Sequence, residues 1–443
     1  MGVIITVEMA DLTPPRGTRD FLPEEKLLRN SLVAALQKTF EKYGFNPLET
    51  PALENYDILA SKFAGGSEIL KELYTLEDQG KRKLGLRYDL TVPLARVFAS
   101  QKLAMPFKRY AIASVWRDGP MKAGRYREFT QCDVDAVGVS SVRQEAEIMA
   151  LTYAAFKAAG LDVFVKVNNR KLLNGLLDFL GIPEAKRVPV IIELDKLEKI
   201  GAQGVLKELE AIIEPGYAKE ALELFTELEI EKSLRVVEGM ALGEEGKQGV
   251  SELKEFYSSL EAFGVPDGFT VFSPSLARGL NYYTGIVFEA FLKESEGSGI
   301  KSSLAAGGRY DDLIGKFSRA KEKIPAVGIS FGLDVIAEVL KEKNAKLVKT
   351  SKKTVVRVLV VPFQNYAYAL KVSQELRTRG VACTVDLDGK SVSRNLDFAN
   401  KQGIPFVVFC GEQEAKEKKV KLRDMRSGKE ELVSLPTALM KLS

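Results

Sequence analysis

The 443-residue sequence contains no histidine, which excludes Ser-His-Asp and Cys-His catalysis and any His-ligated metal. Its chemistry must run on arginine, carboxylates, tyrosine, glutamine, backbone amides and bound ions. No remaining side chain has an unperturbed pKa between about 5 and 8, so a pH response there is expected from a substrate rather than from the protein. Cysteine is scarce too. Cys132, Cys383 and Cys410 lie in strand-like runs without Cys-x-x-Cys spacing. That argues against a disulfide framework and a zinc site, and it predicts a reducing, cytoplasmic setting. No run of about 18 apolar residues is present, so no membrane span is expected. The opening residues, MGVIITVEMADL, lack the basic start and cleavage pattern of a secretory signal. Met1-Gly2 with Thr6 fits a myristoylation pattern, one short enough to match often by chance.

Net charge is small, +4, but unevenly spread: Lys346 to Ser443 holds 19 basic and 10 acidic residues, a net of +9, leaving −5 elsewhere. Such an excess suits a polyanionic partner and equally a solvated basic surface. With 45% hydrophobic and 28% charged residues, the composition is that of a globular chain long enough for two or three domains.

What is present centres on Phe107 to Gly138, FKRYAIASVWRDGPMKAGRYREFTQCDVDAVG. Two alternating segments flank a loop rich in Arg, Lys and Gly, the pattern of a β-hairpin. The two-residue period of a strand puts Arg109, Ala111, Ala113, Val115 and Arg117 on one face of the first arm. On the second arm it groups Phe129, Gln131, Asp133 and Asp135. A face that only filled a core would not carry an amide and two acids, because burying an unpaired charge is costly. The hairpin reads as the floor of a polar pocket, or as the solvated face of an antiparallel sheet.

Before it, Leu28 to Tyr43 carries helical spacing, and a Pro-flanked strand is expected near Phe45 to Leu53. A helix around Ser67 to Leu73, a hairpin of Glu72–Thr75 with Lys83–Arg87, and a helix opening near Tyr88–Pro93 come next. Asp89 falls at that helix start, as a cap or facing a ligand amine. After the central hairpin come helix Val142–Ala159, strand Val163–Val167 and helix Lys171–Leu180. Residues 182–268 are charged and helical, as in an inserted subdomain. Strand-like sequence then resumes with SLARGLNYYTGIVFEAF and SSLAAGGRYDD, whose Gly-Gly allows either close backbone approach to a ligand or a plain strand bend. Residues 346–355 make a linker, and βαβαβ periodicity over 356–443 predicts a separate three-layer α/β domain.

These pieces resemble the class II aminoacyl-tRNA synthetases over essentially the whole chain. PRGTRDFLP with its helix and strand resembles the first motif of that class. Trp116-Arg117 through Arg125-Tyr126-Arg127-Glu128-Phe129 resembles the second, and Ala326 to Gly332 the third. LARGLNYYTG and LAAGGRYDDL resemble the signature peptides of histidyl-tRNA synthetases, and the C-terminal domain resembles the anticodon-binding module of this group. The resemblance implies an α+β catalytic domain on a mainly antiparallel sheet over 1–345, ATP with Mg²⁺, L-histidine and tRNA(His) as ligands, and a homodimer.

The resemblance also implies roles for residues. Arg117 and Arg125 would hold ATP phosphate and Phe129 would stack on adenine. Asp89, Thr91 and Gln131 would hold the substrate α-amino group. Asp135, Tyr282 and Tyr283 would form the imidazole pocket, and Arg278 would contact both the substrate carboxylate and the α-phosphate. No resident metal site is implied. The chain departs from the pattern at Asn281, where Asp is usual, at Gly119, and at Val335, where an arginine usually stacks on adenine. A second resemblance is to the regulatory subunit of ATP phosphoribosyltransferase, which binds histidine without charging tRNA. That relative usually lacks the C-terminal module and degrades the arginine-bearing signatures, both of which this sequence keeps.

Overall fold

A computed structural model describes residues 12–60, 70–121, 124, 126–231, 234–277, 283–293, 298–317, 323–345, 347–348 and 352–442. The chain forms two compact units, residues 1–20 with 32–347 and residues 21–31 with 348–443.

In the first unit the strands are β1 Asn46–Pro47, β2 Leu53–Asn55, β3 Thr75–Glu77, β4 Lys83–Leu86, β5 Phe107–Trp116, β6 Glu128–Val137, β7 Val163–Asn169, β8 Thr270–Phe272, β9 Ile286–Leu292, β10 Ala305–Arg309 and β11 Ala326–Gly332. Eight of them form one sheet in the order β1-β5-β6-β11-β10-β9-β7-β8. It is antiparallel except at its two ends, where β1 pairs with β5 and β8 with β7 in parallel. Alternation makes one face apolar. Tyr110, Cys132, Val134, Ile329 and Phe331 are buried there, and Phe40 of helix Pro23–Lys42 and Phe156 of helix Arg143–Ala159 each lie 5.5 Å from the Phe331 ring. Helical cover on this face leaves the opposite, polar face for the site.

The single strand expected near Phe45 to Leu53 is instead two. β1 lies on β5, whereas β2 joins β4 and β3 in a separate three-stranded sheet. Pro47 and Pro51 have no backbone N–H to continue one ladder through this stretch. The neighbouring hairpin also shifts, with Thr75–Glu77 rather than Glu72–Thr75 pairing with β4. Of the helix expected at 67–73, residues 67–69 lie outside the described residues. Between Glu184 and Ala262 the described elements are all helices, Glu184–Leu194, Leu197–Glu210, Pro215–Glu231, Leu234–Glu238 and Glu244–Ala262, and β8 follows at Thr270.

The second unit carries β12 Val358–Pro362, β13 Cys383–Val385, β14 Phe406–Cys410, β15 Lys419–Asp424 and β16 Glu430–Ser434 in the order β13-β12-β14-β15-β16. Strand alternation splits its core in two. Val358, Val360 and Val408 pack with helices Tyr366–Thr378 and Leu435–Leu442 on one face. Leu359, Val361 and Val407 pack with Ala399 of helix Val392–Gln402 on the other. This is a three-layer α/β arrangement. The closing helix, unexpected from sequence, is one of about two turns begun by Ser434, whose Oγ accepts from Thr437 N at 3.3 Å.

Candidate active site

The register of the central hairpin builds the site. Arg109 pairs with Asp135, Ala111 with Asp133, Ala113 with Gln131 and Val115 with Phe129. β11 continues the rows with Gly328, Ser330 and Gly332 beside Asp135, Asp133 and Gln131, and β10 adds Gly308 beside Gly328. Residues directly opposite in an antiparallel pair share a face, so one polar floor crosses these four strands. Two glycines keep it open. A Cβ on Gly328 would lie 2.0 Å from Asp135 Oδ1, and one on Gly308 would lie 3.0 Å from the Tyr283 ring. The Gly-Gly of β10 therefore makes room for a tyrosine and for close strand packing, with Gly307 against the Gly328 carbonyl.

Asp135 is 3% exposed and held from two sides. Tyr310 donates its phenolic O–H to Oδ1, and Arg109 Nη2 lies 2.6 Å from Oδ2. That second contact is an ion pair without hydrogen-bond geometry, so Oδ2 has no hydrogen-bond donor. Arg109 is itself 1% exposed and donates to the Leu90 carbonyl at 3.0 Å. Asp133, next along the face, lies 3.9 Å from Arg109. Its Oδ1 has no partner, and neither has Gln131 Oε1, although Gln131 Nε2 donates to Ser330 Oγ at 2.8 Å.

Charge follows burial here. Burial raises Asp135, against the pull of Arg109 and Tyr310. Asp133 is pushed up to about 7 by burial, with Arg109 opposing and Asp135 adding repulsion. Burial, then Asp135, lifts the Tyr310 phenol well above its ordinary value, so it stays a donor. Desolvation thus pushes a carboxylate toward the range in which no unperturbed side chain of this sequence titrates.

Asp89 acts as a helix cap. Its Oδ1 accepts from Thr91 N at 3.2 Å and Val92 N at 3.0 Å at the start of helix Thr91–Ser100. Burial raises its pKa, opposed by Val92, then Arg117, then Thr91. Arg117 donates from Nε to the Tyr88 carbonyl at 3.0 Å, and its guanidinium carbon stands 5.2 Å from the Phe129 ring centre. Phe129 rests on Leu90, Ala111 and Val115. Arg117 makes no carboxylate ion pair within 4 Å among the described residues, and Asp89 acts on it only at longer range. A guanidinium fixed through one nitrogen, beside an aromatic face, suits a phosphate and a flat heterocycle.

The loop between β5 and β6 is anchored from outside the hairpin. Arg19 pairs with Asp334 at 2.8 Å and Glu338 at 3.2 Å, and its guanidinium lies 3.9 Å over the Tyr126 ring. Tyr126 donates to Glu338, and Thr130 N donates to Asp334 Oδ2 at 2.7 Å. Val335 sits under this loop, 3.6 Å from where a Cβ on Gly124 would be.

The fold thus brings Asp89, Thr91, Arg117, Phe129, Gln131, Asp135 and Tyr283 onto this floor and its margin. Arg125, Arg278 and Tyr282, together with Asn281, lie outside the described residues. Sequence reasoning gave no role in the site to Arg109, Asp133, Tyr310 or Arg19. Arg109 and Asp133 were visible on the predicted face, but their pairing depends on hairpin register. Tyr310 was visible in LAAGGRYDDL, where alternation sends Arg309 to the other face. There Arg309 grips Glu145 through two contacts of 2.6 Å.

Among the described residues, no helix is long and apolar enough to cross a membrane, and no cluster of three or more His, Cys, Asp or Glu residues could hold a metal. A family model described as histidyl-tRNA synthetase matches residues 17–336, and an anticodon-binding domain model matches 356–443. The chain is 43% identical over 431 residues to histidine–tRNA ligase 1 of Bacillus cereus, covering 95% of this chain and 97% of that one. It is 39% identical to the histidine–tRNA ligase of Wolinella succinogenes, covering 95% and 96%. The crystal structure of histidyl-tRNA synthetase from Nostoc superposes with a TM-score of 0.83 at 33% identity, covering 98% of this chain and 99% of that one. A Bacillus halodurans structure titled as an ATP phosphoribosyltransferase regulatory subunit/histidyl-tRNA synthetase shares the fold, with a TM-score of 0.74 at 24% identity over 93% and 100% of the chains.

Proposed function

Because this chain belongs to the histidyl-tRNA synthetase family, we propose that the polar floor of β5, β6, β10 and β11 is where histidine and ATP react. The activity is that of a histidine–tRNA ligase. L-histidine is activated with ATP to histidyl-adenylate and transferred to the 3′ end of tRNA(His), releasing AMP and diphosphate. One observation carries the assignment of the site. In a row of buried acceptors that runs toward Arg117 and Phe129, Gln131 Oε1 and Asp133 Oδ1 lack any partner and Asp135 Oδ2 has only the Arg109 ion pair. Histidine supplies donors at its ammonium and ring, and ATP supplies the anion and the base.

In this reading Arg117 and Arg125 hold ATP phosphate, with adenine on Phe129. Asp89, Thr91 and Gln131 receive the α-amino group, and Asp135, Tyr282 and Tyr283 enclose the imidazole. Arg278 joins Arg117 against the negative charge that grows as the carboxylate attacks the α-phosphate. That step needs no general base. Mg²⁺ arrives with ATP as its counter-ion, in keeping with that ion's preference for substrate phosphates over all-protein cages. The basic 356–443 domain, joined by a linker at 346–355 to a catalytic domain over 1–345 with its insertion at 182–268, engages tRNA(His). The working form is a cytoplasmic homodimer, since a two-fold interface is the commonest closed assembly.

Val335 at the usual arginine position counts toward the regulatory-subunit alternative. The anticodon-binding match over 356–443 and the ligase identity of the relatives favour the enzyme. Charging of unfractionated tRNA with labelled histidine tests it: accumulation of histidyl-tRNA supports ligation, and histidine binding without charging would indicate the regulatory role.

A further inference from the structure

Resting on the reading above, we propose that Asp133 is a specificity-determining residue whose Oδ1 accepts a hydrogen bond from a ring N–H of the substrate imidazole.

Asp135, the acid the family resemblance assigns to the imidazole, is already engaged: Tyr310 donates to one oxygen and Arg109 stands 2.6 Å from the other. Asp89 is engaged in capping its helix through two backbone amides. Asp133 is 3% exposed and its Oδ1 has neither a protein donor nor contact with water. A buried carboxylate oxygen left in that state costs on the order of several kcal/mol, so a donor arriving with a ligand has more to gain there than at either neighbour. Position agrees with this. Asp133 lies between Gln131 and Asp135 on one face of β6, about 6–7 Å from each along the strand, so its carboxylate flanks both the residue assigned to the α-amino group and the acid assigned to the ring.

The surroundings leave the acceptor available. Arg109 from β5 is 3.9 Å away and committed to Asp135 and the Leu90 carbonyl. Ser330 from β11 favours the charged form through a hydrogen bond, while Asp135 and Asp89 oppose it by repulsion. Among the described residues Arg109 is the one cation within ion-pair distance of Asp133, and Arg87 adds a longer-range attraction. An N–H donor between Asp133 and Asp135 would relieve the repulsion between the two acids and satisfy the orphan oxygen together. A site lined with such acceptors rejects an analogue whose nitrogen carries a methyl group, because the buried acid then stays unpaired.

The test uses the full-length protein, Asp133→Asn and Asp133→Ala, with pyrophosphate exchange as the assay and the two ring N-methylhistidines as competitors. We expect the KM for histidine to rise by about tenfold or more in Asp133→Asn, with the KM for ATP within about twofold. In Asp133→Ala the preference for histidine over the more weakly binding N-methyl isomer should shrink by a similar factor. A merely structural role would not move that ratio. Should Asp133→Asn fail to fold, Asp133→Glu, which keeps the charge but moves the acceptor, is expected to weaken histidine more than ATP. A folded, active variant with unchanged histidine KM and unchanged N-methyl discrimination overturns the inference while leaving the functional reading intact. Wild-type protein that exchanges with no histidine overturns both.

Discussion

Arg109 on β5 and Asp135 on β6 are direct register partners, and the arginine Nη2 lies 2.6 Å from the carboxylate with both side chains almost wholly buried. This pair lies beneath a floor that also buries Asp133, so one guanidinium offsets two acids. Arg109→Ala is expected to destabilise the chain by about 3–5 kcal/mol, the cost of leaving buried charge uncompensated. Urea unfolding of the variant beside Asp135→Asn checks this, and the asparagine variant, which removes a charge, should lose less.

Stability should also depend on pH in a definite direction. Asp133 stands at about 7 in the folded chain against an ordinary 3.8, so between those values the folded state holds a proton that the unfolded state has released. Unfolding free energy without ligand therefore falls as pH rises through that window. Measurements near pH 5 and near pH 7.5 should show the higher stability at the lower pH, and Asp133→Asn should reduce the difference, with Glu145, likewise pushed up to about 7 by burial, supplying part of the remainder.

Arg19 ties Tyr126 to Asp334 and Glu338, and so holds the loop beside Arg117 and Phe129. Arg19→Ala is expected to raise the KM for ATP several-fold with less effect on histidine. Steady-state exchange kinetics with each substrate varied in turn would show it, and a change confined to the histidine KM would contradict this placement.

Arg117→Ala should reduce the rate of adenylate formation by about 10²–10³-fold, the range for removing one preorganised group from developing charge, while tRNA binding is kept. Rapid-quench measurement of the first step separates the two effects.

The net of +9 in residues 346–443 predicts that tRNA binding weakens steeply with salt, linearly in the logarithm of both, as counterion release requires. Filter binding across a salt series checks it, and a flat response would assign the basic excess to solubility. Light scattering at micromolar concentration checks the dimer.

The central hairpin was legible because strand alternation acts locally: the sequence places Phe129, Gln131, Asp133 and Asp135 on one face, and they share that face in the sheet. The helix start at Thr91 was equally local, although the choice between cap and ligand contact for Asp89 waited on two amide distances. Hidden were the long-range partners. Nothing near Asp135 in the chain says that Tyr310, 175 residues away, will donate to it, nor that Arg19 will reach Asp334 across 315 residues. The burial that shifts Asp133 is likewise a property of the assembled sheet. The strand split around Pro47 and Pro51 was in principle readable, since each proline removes a ladder donor.

Pyrophosphate exchange measured with each amino acid in turn tests most directly whether the acceptor-lined floor activates histidine. Exchange dependent on ATP and on histidine, and on no other amino acid, is the predicted result. Exchange with a different amino acid, or none with histidine at saturating ATP, would contradict it.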